Sequence, residues 1–86
     1  MTDSMTDDIR QIVADNGKLA VDVSDLSDED DLFDAGMTSH ANVNVMLALE
    51  DVYDIEFPEE LLRRSTFQTL AAIRGTIEML MEQSAA

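Results

Sequence analysis

The chain has 86 residues, a length that suits one small domain, and 45% of them are hydrophobic, ample for a packed core and against wholesale disorder. Nineteen acidic residues against five basic ones give a formal charge of -14, which argues against nucleic acid and anionic membrane surfaces as partners and favours basic proteins through steered encounter. There is no cysteine, which excludes disulfides, thiolate metal sites and a sulfur nucleophile of the chain's own. No apolar run approaches the roughly 20 residues that span a bilayer, so no membrane insertion is expected. The start Met1-Thr2-Asp3-Ser4 carries neither a basic segment nor an apolar signal region, and a cytoplasmic protein is expected.

Met5, Ile9, Ile12 and Val13 recur at helical spacing. Ser4 can cap that helix, Asp7 and Asp8 suit its first turn, and Asn16-Gly17 stops it, so the first helix spans about 5–16. A connection over about 18–38 follows. Leu19, Val21 and Val23 alternate as a strand would, but no second strand can pair with them, and they read as loop residues tucked onto the bundle. Asp28-Glu29-Asp30-Asp31 leads to Leu32-Phe33 on a short helical turn, and Asp34-Ala35-Gly36 turns the chain. A structureless loop of this length usually signals function or a missed element.

The second helix is expected over 39–53, with Val43, Met46, Leu47, Glu50 and Tyr53 on its inner face and Leu49 flanking it. The run Val45-Met46-Leu47-Ala48-Leu49 is apolar most of the way around, so this helix sits deep. Pro58 suits the first position of a short third helix over about 58–64 that buries Leu61 and Leu62. Ser65 or Thr66 caps a fourth helix lined by Phe67, Leu70, Ile73, Ile77 and Leu80, and the tail over 83–86 is expected to fray. The fold class is all-α: one domain over 1–86, with three main helices, one short helix and a long first loop.

No catalytic constellation is evident. His40 is the sole histidine, and Ser39-His40 makes no dyad, because successive residues of a helix point about 100° apart. His40 reads as a polar or semi-buried side chain near a helix start. The acids between Asp22 and Asp34 miss the calcium-loop register of alternate ligands, a central glycine and a closing Glu, so Asp28 to Asp31 read as a solvated acidic surface. Of the six methionines, Met46 and Met79 fall in core-like helical stretches and read as packing. In Gly36-Met37-Thr38-Ser39 a glycine turn delivers a serine to the first turn of a strongly marked helix. Ser39, or Thr38 beside it, suits the helix cap. The same place suits a serine phosphodiester, because free backbone N–H groups and the helix dipole favour phosphate there. Met37 and Val43 offer an apolar floor that could receive an attached chain.

The run Asp34-Ala35-Gly36-Met37-Thr38-Ser39-His40 resembles the modified-serine motif of the acyl carrier protein family, Asp-Leu-Gly-x-Asp-Ser-Leu. The likeness continues without a gap through Leu47-Ala48-Leu49-Glu50 to Phe57-Pro58, and Ser65-Thr66-Phe67 with Ala71-Ala72-Ile73 fits the last helix. Thr38 stands where the family has Asp, His40 where it has Leu, and Asn44 where many fatty-acid carriers have an acid. These changes fall on the surface that partners read and argue against the housekeeping fatty-acid carrier. Met37-Thr38-Ser39-His40-Ala41-Asn42-Val43 with Phe57-Pro58 and Leu61-Leu62 is similar to a subgroup loaded with an amino acid by truncated, seryl-tRNA-synthetase-like ligases.

The resemblance implies a small four-helix bundle of the acyl-carrier type, monomeric and not itself an enzyme. It implies Ser39 as the attachment point of 4′-phosphopantetheine taken from coenzyme A. It implies an acyl or aminoacyl cargo held as a thioester. Its partners would be a phosphopantetheinyl transferase, an acyl- or amino acid:carrier protein ligase and downstream acyltransferase-type enzymes. Thr38, His40, Asn44, Glu50 and Asp51 would form the docking surface. The competing class is an acidic helical adaptor that binds a basic protein without a prosthetic group.

Overall fold

In the computed structural model, which describes residues 4–84, the chain forms four α-helices: α1 (Ser4–Asn16), α2 (Ser39–Tyr53), α3 (Arg64–Phe67) and α4 (Leu70–Ser84). Single 3-10 turns lie at Val23–Asp25 and Glu59–Leu61, and the described residues contain no strand. α1 packs against both α2 and α4, and α3 against α4. The core they enclose includes Ile9, Val13, Val45, Leu49, Phe67 and Ile73, all essentially inaccessible.

α1 stops where expected, but for a different reason. Gly17 donates its N–H to the Val13 carbonyl, and a Cβ on Gly17 would stand 2.7 Å from that oxygen. Glycine is there for space, and Lys18, at φ 52°, makes the left-handed turn. The Ser4 cap rests on a side chain that the structure does not describe, and residues 85–86 of the expected frayed tail lie outside the described residues. Helix α4 itself continues through Gln83 to Ser84.

The first connection is laid down by polar bonds. Arg10 on α1 reaches the carbonyls of Val23 and Leu26 at 2.9 and 2.8 Å and the Asp28 carboxylate at 2.7 Å. Leu19 and Val23 tuck partly onto the bundle. Val21 does not: the chain bends at Ala20–Val21, where Ala20 N–H meets the Ala35 carbonyl, and Val21 is left exposed.

Several expectations for the helices are overturned. α2 buries Ala41, Val45 and Leu49 at four-residue steps, while Val43 and Leu47 face out. An apolar run that goes around the helix leaves its phase undetermined, and contact with α1 selects it. The expected helix over 58–64 is instead a 3-10 turn, an extended Arg63 and the single turn α3. The break lets Phe67 enter the core and meet Phe57 edge to face, ring centres 5.2 Å apart. Leu61 is half-buried, but Leu62 is exposed. Phe67 therefore belongs to α3, and α4 is capped by Thr69, whose hydroxyl accepts the Ala72 N–H, in place of Ser65 or Thr66. Met46 is half-buried as a packing residue should be, but Met79 is exposed on α4.

Candidate functional site

Three features fix the start of α2. The turn over Asp31–Met37 closes on itself through backbone bonds from Ala35 to Asp31, Gly36 to Phe33 and Met37 to Leu32. Gly36 takes φ 117°, and a Cβ there would lie 2.7 Å from the Ala20 nitrogen, so only glycine lets the two ends of the loop approach. Met37 is buried and anchors the chain immediately before the helix.

Thr38 is the cap. Its backbone is extended, and its hydroxyl accepts the Ala41 N–H at 3.0 Å. Its carbonyl accepts the Asn42 N–H at 2.8 Å. Ser39 is thereby released from capping: it is exposed in the first helical turn, and its hydroxyl has no hydrogen-bond partner among the described residues. The Ser39 and His40 N–H groups have no helical acceptor, and no acid occupies the first turn of α2.

Ser39 stands on the rim of an open pocket of about 340 Å³ between α2 and α3. Asn42, Val43 and Met46 of α2 form one wall; Phe33, Leu62 and Phe67 form the apolar remainder. Arg63 and Arg64 stand at its edge, the Arg64 guanidinium 4.4 Å from the centre of the Phe33 ring. Oδ1 of Asn42 is fully buried and has no hydrogen-bond partner among the described residues.

The docking candidates separate. Thr38, His40 and Asp51 are exposed and Asn44 is half-buried. Glu50 serves the fold: its carboxylate accepts the Phe57 N–H at 2.9 Å, and its carbonyl receives the N–H groups of Asp54 and Ile55 as α2 ends. The acidic run is likewise built into turns. Asp31 accepts Gln68 Nε2 at 2.8 Å and the N–H groups of Phe33 and Asp34, and these bonds hold its carboxyl below the usual range. Asp22 is lowered in the same way by Ser24. Among the described residues no three His, Asp or Glu side chains converge on a metal site, and no helix is long and apolar enough to cross a membrane.

Sequence reasoning did not find the α3 half of the pocket, nor Asn42 as a buried group. The available signal was the adjacent pair Arg63-Arg64 in a chain with only five basic residues.

Residues 7–74 match the family described as the phosphopantetheine attachment site. The chain is 42% identical over 74 residues to an aminoacyl carrier protein of Agrobacterium fabrum, covering 86% of this chain and 89% of that one. It superposes with TM-score 0.84 on the Agrobacterium tumefaciens carrier protein crystallised with an engineered Bradyrhizobium japonicum glycine:[carrier protein] ligase and AMP, at 43% identity over 86% of this chain and 99% of that one. It also matches the glycylated carrier protein in complex with the Bradyrhizobium japonicum ligase, at TM-score 0.73 and 25% identity over 85% of this chain and 97% of that one. The chain therefore belongs to the phosphopantetheine-attachment family: it is a carrier protein of the acyl-carrier fold, not an enzyme, and its cofactor is 4′-phosphopantetheine.

Proposed function

We propose that Ser39 carries the 4′-phosphopantetheine arm and that the chain is an aminoacyl carrier, charged by an amino acid:carrier protein ligase. The observation that carries the attachment site is the free, exposed Ser39 hydroxyl on a pocket rim while Thr38 takes the capping role. The aminoacyl reading is supported by relatives that are an aminoacyl carrier and partners of glycine:[carrier protein] ligases.

In the modification step Ser39 Oγ forms a bond to the phosphorus of coenzyme A that bears the pantetheine. The bond from that phosphorus to the adenosine bisphosphate half breaks, and the hydroxyl proton passes to a base on the transferase, which also supplies the metal. The arm supplies the thiol, absent from the chain itself, on which cargo rides as a thioester. This chain's residues fit such a group. The unpaired N–H groups of Ser39 and His40 and the dipole of α2 favour a phosphodiester, and the uncharged Thr38 cap adds no repulsion.

The docking face is assigned to the outer ridge of α2, where Val43, Leu47 and Asp51 follow Ser39 at four-residue steps, flanked by His40 and Asn44. The transferase, the ligase and downstream acyltransferase-type enzymes would read it in turn.

Co-expression with a promiscuous transferase is expected to add one phosphopantetheine mass, and Ser39→Ala to abolish the addition. An unmodified wild type under several transferases refutes the reading and leaves the acidic adaptor in its place. In a ligase loading assay at low salt, Asp51→Lys is expected to slow loading several-fold, and unchanged kinetics remove Asp51 from the docking face. Glu50→Lys is a poorer probe, because it also breaks the bond to Phe57.

A further inference from the structure

The turn that delivers Ser39 is gripped from the far side of the bundle, at the junction of α3 and α4. Leu32 donates its N–H to the Gln68 carbonyl at 2.7 Å, and Ala71 donates its N–H to the Asp28 carbonyl at 2.9 Å. The Gln68 side chain adds a further bond, from Nε2 to Asp31 Oδ2 at 2.8 Å. Gln68 thus holds two successive residues of the turn, one with its side chain and one with its main chain. The junction is a firm anchor, because Phe67, Leu70 and Ile73 around it are essentially inaccessible.

The two oxygens of Asp31 divide the work. Oδ1 accepts the N–H groups of Phe33 and Asp34 at 2.9 and 3.3 Å, while Oδ2 accepts Gln68. Held at Oδ2, the carboxylate cannot swing to solvent and leave those N–H groups without an acceptor. The order this imposes passes along the turn. Met37 donates to the Leu32 carbonyl and is buried. Thr38 follows at once, and its hydroxyl and carbonyl close the first turn of α2 on Ala41 and Asn42. Ser39 lies inside that turn, exposed, and its hydroxyl makes no bond among the described residues that would hold it. Val43, Leu47 and Asp51, the ridge assigned to docking, lie further along α2.

We infer that Gln68 is a positioning residue for the modification of Ser39: its side chain holds Asp31, and through Asp31 the turn that starts α2, against the α3–α4 junction. The inference rests on Ser39 being the attachment residue. Gln68 touches no reacting atom. It keeps the first turn of α2 formed, so that the Ser39 hydroxyl meets the phosphorus of coenzyme A in one geometry once the ridge has docked.

The test is steady-state modification of the full chain by a promiscuous transferase, with coenzyme A saturating and the carrier varied. Gln68→Met keeps length and apolar bulk but removes the donor. It is expected to lower kcat by up to about tenfold, the order of one bond to a charged group, and to leave KM unchanged, because the docking ridge is intact. A variant that only unfolded more would present less folded carrier, which raises the apparent KM and spares kcat. Amide exchange at Ala41 and Asn42 should quicken in Gln68→Met, while exchange at Ile77 in α4 should not. Gln68→Glu sets two carboxylates against each other and should be slower still. The exchanged pair Asp31→Asn, Gln68→Glu restores a donor facing an acceptor, leaves the asparagine oxygen for Phe33 and Asp34, and is expected to recover kcat. A Gln68→Met whose loss lies wholly in KM, or which shows no loss, overturns the inference. So does an exchanged pair no faster than Gln68→Glu alone. A wild type that gains no mass overturns the attachment itself.

Discussion

The connection over residues 17–38 is held by directional polar bonds, whereas the connection over 54–69 is held by packed apolar side chains. In the first, Arg10 binds two carbonyls and Asp28, while Asp22, Asp30 and Asp31 accept the N–H groups of the turns. In the second, Ile55, Phe57 and Phe67 are buried, and one carboxylate bond from Glu50 fixes its start. The difference follows from what each must do. The first sets where α2 begins, and so where Ser39 stands, which demands fixed geometry. The second forms a pocket wall, which demands volume and apolar surface. The acidity of the first connection is therefore partly structural, beyond any steering of partners.

The largest effect should come from the packed connection. Phe67→Ala removes a fully buried ring and is expected to cost about 3–5 kcal/mol in urea unfolding. That is a large share of the total for a chain whose stability is about 0.05–0.15 kcal/mol per residue. Phe67→Leu, closer in volume, should cost less. A loss below about 1 kcal/mol for the alanine variant would show that packing does not hold this segment.

The polar connection should respond more weakly and more locally. Arg10→Gln removes bonds to the Val23 and Leu26 carbonyls and the ion pair to Asp28, and is expected to cost about 1.5–3 kcal/mol. Amide exchange should quicken in the turn at Val23–Asp25, whose N–H groups include the bond from Asp25 to Asp22. Asp28→Asn, at a half-exposed carboxylate, should cost no more than about 1 kcal/mol. Equal losses for Arg10 and Asp28 would mean that the ion pair, and not the carbonyl bonds, pins the loop.

The sequence made the same division visible in part. The bounds of α1 and α2 were legible because caps and breakers act locally: Asn16-Gly17 ends one helix, and the Gly36 turn with Thr38 starts the other. Ser39 was legible as a site, but local chemistry could not choose between it and Thr38 as the cap. The inward face of α2 was not legible, since Val45 to Leu49 is apolar all round. The break at Arg63 was not legible either, because the meeting of Phe57 and Phe67, distant in sequence, decides it. Asn42 carried no signal of its own in the sequence, where it stands only as one residue of the motif around Ser39.

The smallest expected effect separates the two connections by pH. Asp31 accepts bonds from Gln68, Phe33 and Asp34, and the Gln68 bond contributes most to holding its pKa below the ordinary 3.8. A carboxyl with a lowered folded pKa stabilises the fold above its unfolded value and loses that contribution as pH falls through the folded one. A carboxyl-detected NMR titration should therefore place Asp31 below an unstructured aspartate. Asp31→Asn should be less stable than wild type from about pH 5 upward, and the gap should close as pH falls below about 4. The deficit of Phe67→Ala, an apolar loss, should stay constant across that range. If the Asp31→Asn deficit also stayed constant, the carboxylate would act through shape alone, and the first connection would owe less to charge than its acidic residues imply.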